Sequence, residues 1–243
     1  MKPSLLIGNE QHREISDLLA KEGHLVISGA GNETAKAMLM SHLLHFSMYP
    51  TLVVAQDPEA VDVLRHWLQF FDQDATAFTD IHLDSSGDET VTVEALQQFL
   101  HFMQGEKKVF LTSTKLYQMQ FPVYEDLLQK ALTLTVGKSV PFTQFIESLL
   151  DRGYEHTVEK ELTVGQYRKI GDTLEIYPIQ ASCPYRVDFS FDVVEHIVSM
   201  DDAAKQEKQL HLMPLSYDTT ASIADQLTDE QLLIIDDQDD VPD

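Results

Sequence analysis

The stretch that decides the fold reads Gly153-Tyr154-Glu155-His156, then Gly165-Gln166-Tyr167 and Gly171-Asp172-Thr173-Leu174-Glu175-Ile176-Tyr177-Pro178. It continues as Pro184-Tyr185-Arg186-Val187-Asp188-Phe189 and closes with Glu195-His196-Ile197-Val198-Ser199-Met200-Asp201. Leu174 and Ile176 alternate with Thr173, Glu175 and Tyr177, while Val187, Phe189 and Phe191 alternate with Arg186, Asp188 and Ser190. Successive side chains of a strand point to opposite faces, so period-two runs bounded by Gly and Pro read as half-buried strands. By that count Phe191 falls with the apolar set.

Upstream, Leu132-Thr133-Leu134-Thr135-Val136 alternates in the same way. A helix from Pro141 to Arg152 carries Phe142, Phe145, Ile146, Leu149 and Leu150 on helical spacing, and Gly153 stands where the glycine after a helix belongs. Towards the N-terminus the pattern changes to strand and helix in turn. Leu25-Val26-Ile27-Ser28 reads as a buried strand. A helix follows with Asn32 as N-cap and Ala35, Met38, Leu39, Leu43 and Phe46 on one side. Thr51–Ala55 reads as the next strand, and Asp57-Pro58 starts a helix carrying Val61, Leu64, Leu68 and Phe71. Val93, Leu96, Phe99, Leu100 and Met103 mark another helix before the strand Val109–Thr112. The chain ends on a helical Ile223 to Leu227 and the apolar Leu232-Leu233-Ile234-Ile235, read as a buried strand that ends in solvent at Asp236.

Strand–helix alternation implies parallel strands covered by helices. The expected class is therefore α/β: a parallel sheet with flanking helices, resembling a degenerate P-loop or helicase-like domain, plus an inserted α+β subdomain. The expected division assigns residues 1–113 with 204–243 to the first domain and 114–203 to the second.

With 243 residues and 43% hydrophobic content, the chain can bury a sizeable core. No apolar run approaches the ~18 residues of a membrane span, and Met1-Lys2-Pro3 lacks the pattern of a secretory signal. The single cysteine, Cys183, cannot form an internal disulfide. These features point to the cytoplasm, with no membrane partner. Against 17 basic residues stand 40 acidic ones, a formal net charge of −23. Such a surface repels a phosphate backbone, which argues against strong DNA binding.

Gly29-Ala30-Gly31-Asn32-Glu33-Thr34-Ala35-Lys36 lies between a strand and a helix, where a phosphate loop would sit. A working loop needs Gly-x-x-x-x-Gly-Lys-Ser/Thr, so that backbone amides and lysine reach phosphate and a hydroxyl reaches magnesium. Here the second glycine is missing, Lys36 falls one position late and Ala37 replaces the hydroxyl. Gly29, Gly31 and Lys36 thus form a degenerate loop that is not expected to bind ATP, and Lys36 is expected to be dispensable. Among ten histidines, His42 and His45 are three apart on a helix, but no His-Glu-x-x-His and no cysteine cluster accompany them. No metal, cofactor or catalytic constellation is expected.

The order of the quoted motifs resembles a module shared by the excision-repair protein UvrB and the N-terminus of the transcription-repair coupling factor, Mfd. That family carries in succession Gly-Tyr, Gly-Glu-Phe/Tyr, Gly-Gly/Asp-x-x-(Asp/Glu)-Ile-(Tyr/Phe)-Pro and Pro-x-Arg-(Ile/Val)-(Asp/Glu)-(Leu/Phe)-Phe. Thr34-Ala35-Lys36-Ala37 resembles the end of the coupling factor's loop remnant. The resemblance implies a protein-interaction module without catalysis, which recruits UvrA to lesions where RNA polymerase has stalled and restrains an ATP-driven motor. The motor lies in other domains of the full-length protein, through which RNA polymerase is reached indirectly. It further implies UvrA contact at Arg168, with Lys169 and His156 as supporting positions. Two departures stand out. Ile170 occupies the place of the family's arginine before Gly171, and the short Asp80–Thr90 segment lacks the aromatic residues with which UvrB clamps DNA. The alternative reading is a nucleotide-binding α/β enzyme with an atypical ATP site.

Overall fold

A computed structural model describes residues 32–47, 49–78, 81–83, 89–106, 109–202 and 205–236, together with positions 15, 17 and 26. In chain order the elements begin with α1 (Glu33–Phe46), β1 (Thr51–Ala55), α2 (Pro58–Phe70), β2 (Ala75–Ala77), β3 (Ile81–Leu83), β4 (Glu89–Val91) and α3 (Val93–Met103). Next come β5 (Val109–Ser113), α4 (Thr114–Tyr117), β6 (Gln120–Pro122), α5 (Tyr124–Lys130), β7 (Leu132–Thr135) and α6 (Phe142–Asp151). The remainder is strand, β8 (Glu155–His156), β9 (Gln166–Ile170), β10 (Thr173–Ile176), β11 (Tyr185–Ser190), β12 (Val193–Ser199), β13 (Gln209–Leu212), β14 (Thr220–Ser222) and β15 (Leu232–Ile235), broken by a 3-10 turn at Ala224–Gln226 within the expected helix Ile223 to Leu227. The class is α/β with a parallel sheet flanked by helices and additional antiparallel sheets, as the sequence predicts.

Two compact units divide the chain: residues 1–79, 104–118 and 227–243 in one, residues 80–103 and 119–226 in the other. In the first, a sheet of order β15-β1-β5-β2 is parallel throughout. Every residue of β1 and β5 is buried, the polar Thr51, Thr112 and Ser113 included, as in parallel strands covered on both faces. The α2 helix starts as expected: the Asp57 carboxylate accepts from the Ala60 N–H at 2.9 Å, Pro58 occupies the first turn, and Val61, Leu64 and Leu68 turn into the core.

The α1 helix also starts as expected, with the Asn32 side chain accepting from the Ala35 N–H at 2.9 Å. Its buried face differs from the expected one. Ala37, Met40 and Leu44 enter the core while Met38, Leu39 and Leu43 are half-buried. A helix apolar on nearly every side gives periodicity nothing to choose by, and packing chooses instead. His42 is buried and His45 exposed, so the two do not share a face. Of the expected strand Leu25–Ser28 only Val26 is described, and it is exposed and lies in no strand.

The second unit is built on an antiparallel sheet of order β12-β11-β10-β9-β8, with one parallel pair at its β8 edge. Its buried face presents Tyr167, Leu174, Ile176, Val187 and Ile197, onto which α6 lays Phe142, Phe145 and Leu149. The Phe142 and Phe189 rings lie 4.7 Å apart between centroids. Leu134 of β7 and Leu210 and Leu212 of β13, paired antiparallel, close the same core. The Tyr154 hydroxyl, buried with its ring, donates to the Met213 carbonyl at 2.8 Å. Burial pushes its ionisation far above the ordinary tyrosine range. Where the family resemblance would place a long aromatic hairpin, β3 and β4 form a short antiparallel pair.

Two of the motif glycines share one neighbour. Gly153 and Gly165 both have positive φ, 85° and 83°, and a Cβ at Gly165 would lie 2.6 Å from Leu215 Cδ2. At Gly153 it would approach the Leu215 Cβ and the Ser216 backbone nitrogen at 3.3 Å. The strand entries at Tyr154 and Gln166 are thus spaced to seat the Leu215 side chain.

Candidate functional site

The three residues with an expected role in partner contact lie on neighbouring strands of the second unit, but not on one face. β9 is flanked by β10, with Arg168 opposite Glu175, and by β8, with His156 opposite Tyr167. Tyr167 enters the core, so the period of two turns Arg168 outward and Lys169 towards the α6 side. The Lys169 ammonium sits 4.7 Å from the centroid of the Phe142 ring, a cation–π arrangement at the rim of the core. The His156 ring meets the Tyr167 ring edge to face at 5.4 Å. Lys169 and His156 are both exposed and lie on the Tyr167 side.

Arg168 is engaged within the fold. Its Nε donates to Glu175 Oε2 at 3.0 Å, Nη2 donates to the same oxygen, and Nη1 donates to the Glu159 carbonyl at 2.6 Å. The two side chains are only 17% and 12% exposed. A planar fork matched on three donors clamps β9 to β10 and holds the 157–164 loop against the sheet. Along the same outer face the Asp188 carboxylate accepts from Thr173 Oγ1 at 2.7 Å and from Arg186 Nε at 3.0 Å.

The β11–β12 connection departs from the sequence reading. Phe191 does not continue the alternation of β11. With Asp192 it forms a two-residue turn, both at positive φ (48° and 64°), and its side chain is 99% exposed. The sequence signal was present: Asp192 is a turn former, and the adjacent apolar pair Val193-Val194 marks where the alternation slips phase.

In the first unit Gly29 and Gly31 lie outside the described residues, but Lys36 is placed. Its ammonium lies 2.9 Å from Asp236 Oδ1 and 3.1 Å from Glu33 Oε1. Asp236 does not end in solvent as expected: β15 runs parallel to β1 and delivers the carboxylate to Lys36, where it is 9% exposed. Burial opposes the charge on Lys36, but hydrogen bonds and charge from Asp236 and Glu33 outweigh it and hold the ammonium above the ordinary lysine value. In this structure the Lys36 ammonium is thus held between two carboxylates. Among the described residues no cluster of three or more metal-ligating side chains occurs, and no helix is long and apolar enough to cross a membrane.

Residues 132–215 match the family model described as the UvrB interaction domain. They cover the α6-backed sheet and the β7–β13 pair. Over 191 residues, 77% of the chain, the sequence is 25% identical to UvrABC system protein B of Microcystis aeruginosa, of which this covers 27%. It is 26% identical over 174 residues to the transcription-repair-coupling factor of Haemophilus influenzae, covering 69% of this chain and 15% of that protein. The coupling factor of Borreliella burgdorferi is 20% identical over 200 residues, 80% of this chain and 18% of its own length. The chain therefore spans only a minor part of the curated relatives it matches.

Proposed function

We propose a protein-docking function in nucleotide excision repair for this chain, whose residues 132–215 match the model of the UvrB interaction domain. This segment binds UvrA and performs no catalysis of its own. The observation that carries this function is the coincidence of the matched segment with one self-contained core, in which a helix-backed sheet holds Lys169 and His156 exposed on strands fixed by Tyr154, Tyr167 and Leu215. In the fuller form of the proposal the chain is the N-terminal module of a cytoplasmic transcription-repair coupling factor. It recruits UvrA where RNA polymerase has stalled and restrains the motor carried by other domains of the same protein. RNA polymerase is reached only through those domains. Similarity to two proteins named as coupling factors supports this form.

Lys169 and His156 make the contact, and Arg168 acts by keeping β9 and β10 in register. Strong duplex DNA binding forms no part of the function, because a net charge of −23 opposes a phosphate backbone. The Lys36–Asp236 pair counts against the nucleotide-binding alternative.

Titration of UvrA against the purified chain tests the proposal: saturable binding is expected, and its absence overturns the function. A parallel melting experiment with Mg-ATP is expected to show no shift. A ligand at a hundred times its dissociation constant would stabilise the chain by about 2.7 kcal/mol, and a shift of that size would favour the enzyme.

A further inference from the structure

Phe191 is the most exposed large apolar side chain described, and it stands in the two-residue β11–β12 turn of the second unit. A two-residue hairpin with both central residues at positive φ favours Asn-Gly, because a Cβ is crowded there. A phenylalanine in that conformation persists only when its surroundings over-determine it. They do so here. The Val140 N–H donates to the Asp192 carbonyl at 2.6 Å, and the Phe142 N–H donates to the Asp192 carboxylate at 2.9 Å. The Val194 N–H donates to the Lys138 carbonyl at 3.1 Å, and the Gly137 N–H to the Val194 carbonyl at 2.8 Å. The turn is rigid, and its largest side chain contributes almost nothing to the core.

The surroundings define what the ring could meet. Lys138 runs beside Val194, and Lys169 lies over Phe142, whose N–H is the one held by Asp192. Both lysines are exposed, and among the described residues neither forms an ion pair. The half-exposed Ile170 lies at the same end of the sheet, where β9 turns into β10 and the Asp172 carbonyl accepts from the Phe189 N–H. The exposed Asp172 and Asp192 carboxylates share that end of the sheet, so the tip presents charges of both signs beside one exposed aromatic.

We infer that the β11–β12 tip is a pre-organised anchor: Phe191 enters an apolar pocket on the docking partner, and Lys138 and Lys169 meet carboxylates on the rim of that pocket. Rigidity in the bound shape lowers the ordering cost of association, and a buried aromatic supplies the energy. This inference rests on the docking function proposed above and names its anchor.

The test compares the parent with Phe191→Gly and Phe191→Trp, using UvrA as the partner and thermal melting alongside. Glycine relieves the crowded φ, so Phe191→Gly is expected to melt higher than the parent yet bind UvrA about thirtyfold more weakly. Phe191→Trp is expected to keep the affinity. Parent and Phe191→Gly binding UvrA equally would overturn the anchor and leave the docking function standing. A parent that does not bind UvrA overturns both. Self-association of the parent, abolished by Phe191→Gly, would place the ring against a second copy of the chain and overturn the partner assigned here.

Discussion

The Lys36 ammonium lies 2.9 Å from the Asp236 carboxylate, a contact between residues 200 positions apart that ties the first turn of α1 to the end of β15. Neither has an evident use in the sequence, where one is a lysine out of place for a phosphate loop and the other a strand-end aspartate. Together they satisfy one another at 13% and 9% side-chain exposure.

This pairing leads us to expect a structural cost when Lys36 is removed, in place of the neutral substitution that the sequence reading expects. Lys36→Ala deprives the largely buried Asp236 carboxylate of this partner, and a loss of roughly 1–3 kcal/mol is expected. Replacing the pair together by Lys36→Met and Asp236→Leu is expected to cost less, because the only carboxylate that then loses its lysine is the more exposed Glu33. Urea midpoints with an unchanged slope measure both. The pH dependence follows from the raised Lys36 value: the contribution is complete below the ordinary lysine value of 10.5 and is lost as pH rises through the higher folded-state value. Midpoints of the parent that fall on the alkaline side more steeply than those of the double variant would bear this out.

Arg168 and Lys169 are neighbours with opposite expected phenotypes. Arg168→Ala removes three donated hydrogen bonds and leaves Glu175 nearly buried, so about 2 kcal/mol of stability should go. Lys169→Ala should change stability by less than about 0.5 kcal/mol and weaken UvrA binding instead. Melting and titration on the same two proteins separate the roles. A stable Arg168→Ala chain with weakened binding would return Arg168 to the contact itself.

The glycines divide by their surroundings. Gly171 has a φ of 60° but open space where a Cβ would stand, so Gly171→Ala should cost only the backbone penalty of about 1 kcal/mol. Gly165→Ala meets Leu215 Cδ2 as well and should cost more than about 2 kcal/mol. Equal losses in denaturation would mean that Leu215 yields without strain.

Tyr154→Phe removes the hydroxyl that donates to the Met213 carbonyl inside the core. A loss of about 1–1.5 kcal/mol is expected. Absorbance titration of the folded parent should show one tyrosine that resists ionisation until the chain unfolds, since burial disfavours the phenolate. Tyr154→Phe should lack that late step.

The sequence by itself determined most of the element types. The short, mainly apolar runs of β1 and β5, alternating with helices, read as buried parallel strands, and the Asp57-Pro58 start of α2 follows from local hydrogen bonding. So does the alternation of β10, whose inward Leu174 and Ile176 lie where a period of two puts them. Contacts between distant segments were decided by the tertiary structure alone. Which side of α1 is buried depended on the sheet it packs against, since its apolar residues surround it. The partner of Lys36 depended on where β15 comes to lie, 200 positions away, and electrostatic satisfaction across such a distance leaves no local pattern. Phe191 illustrates the limit most plainly. By composition it belongs with the core set, but the hydrogen bonds that 137–142 makes to the turn hold it in a conformation that faces solvent. Local periodicity reports the face a residue would take in a continuing strand; only the packed neighbours decide where the strand stops.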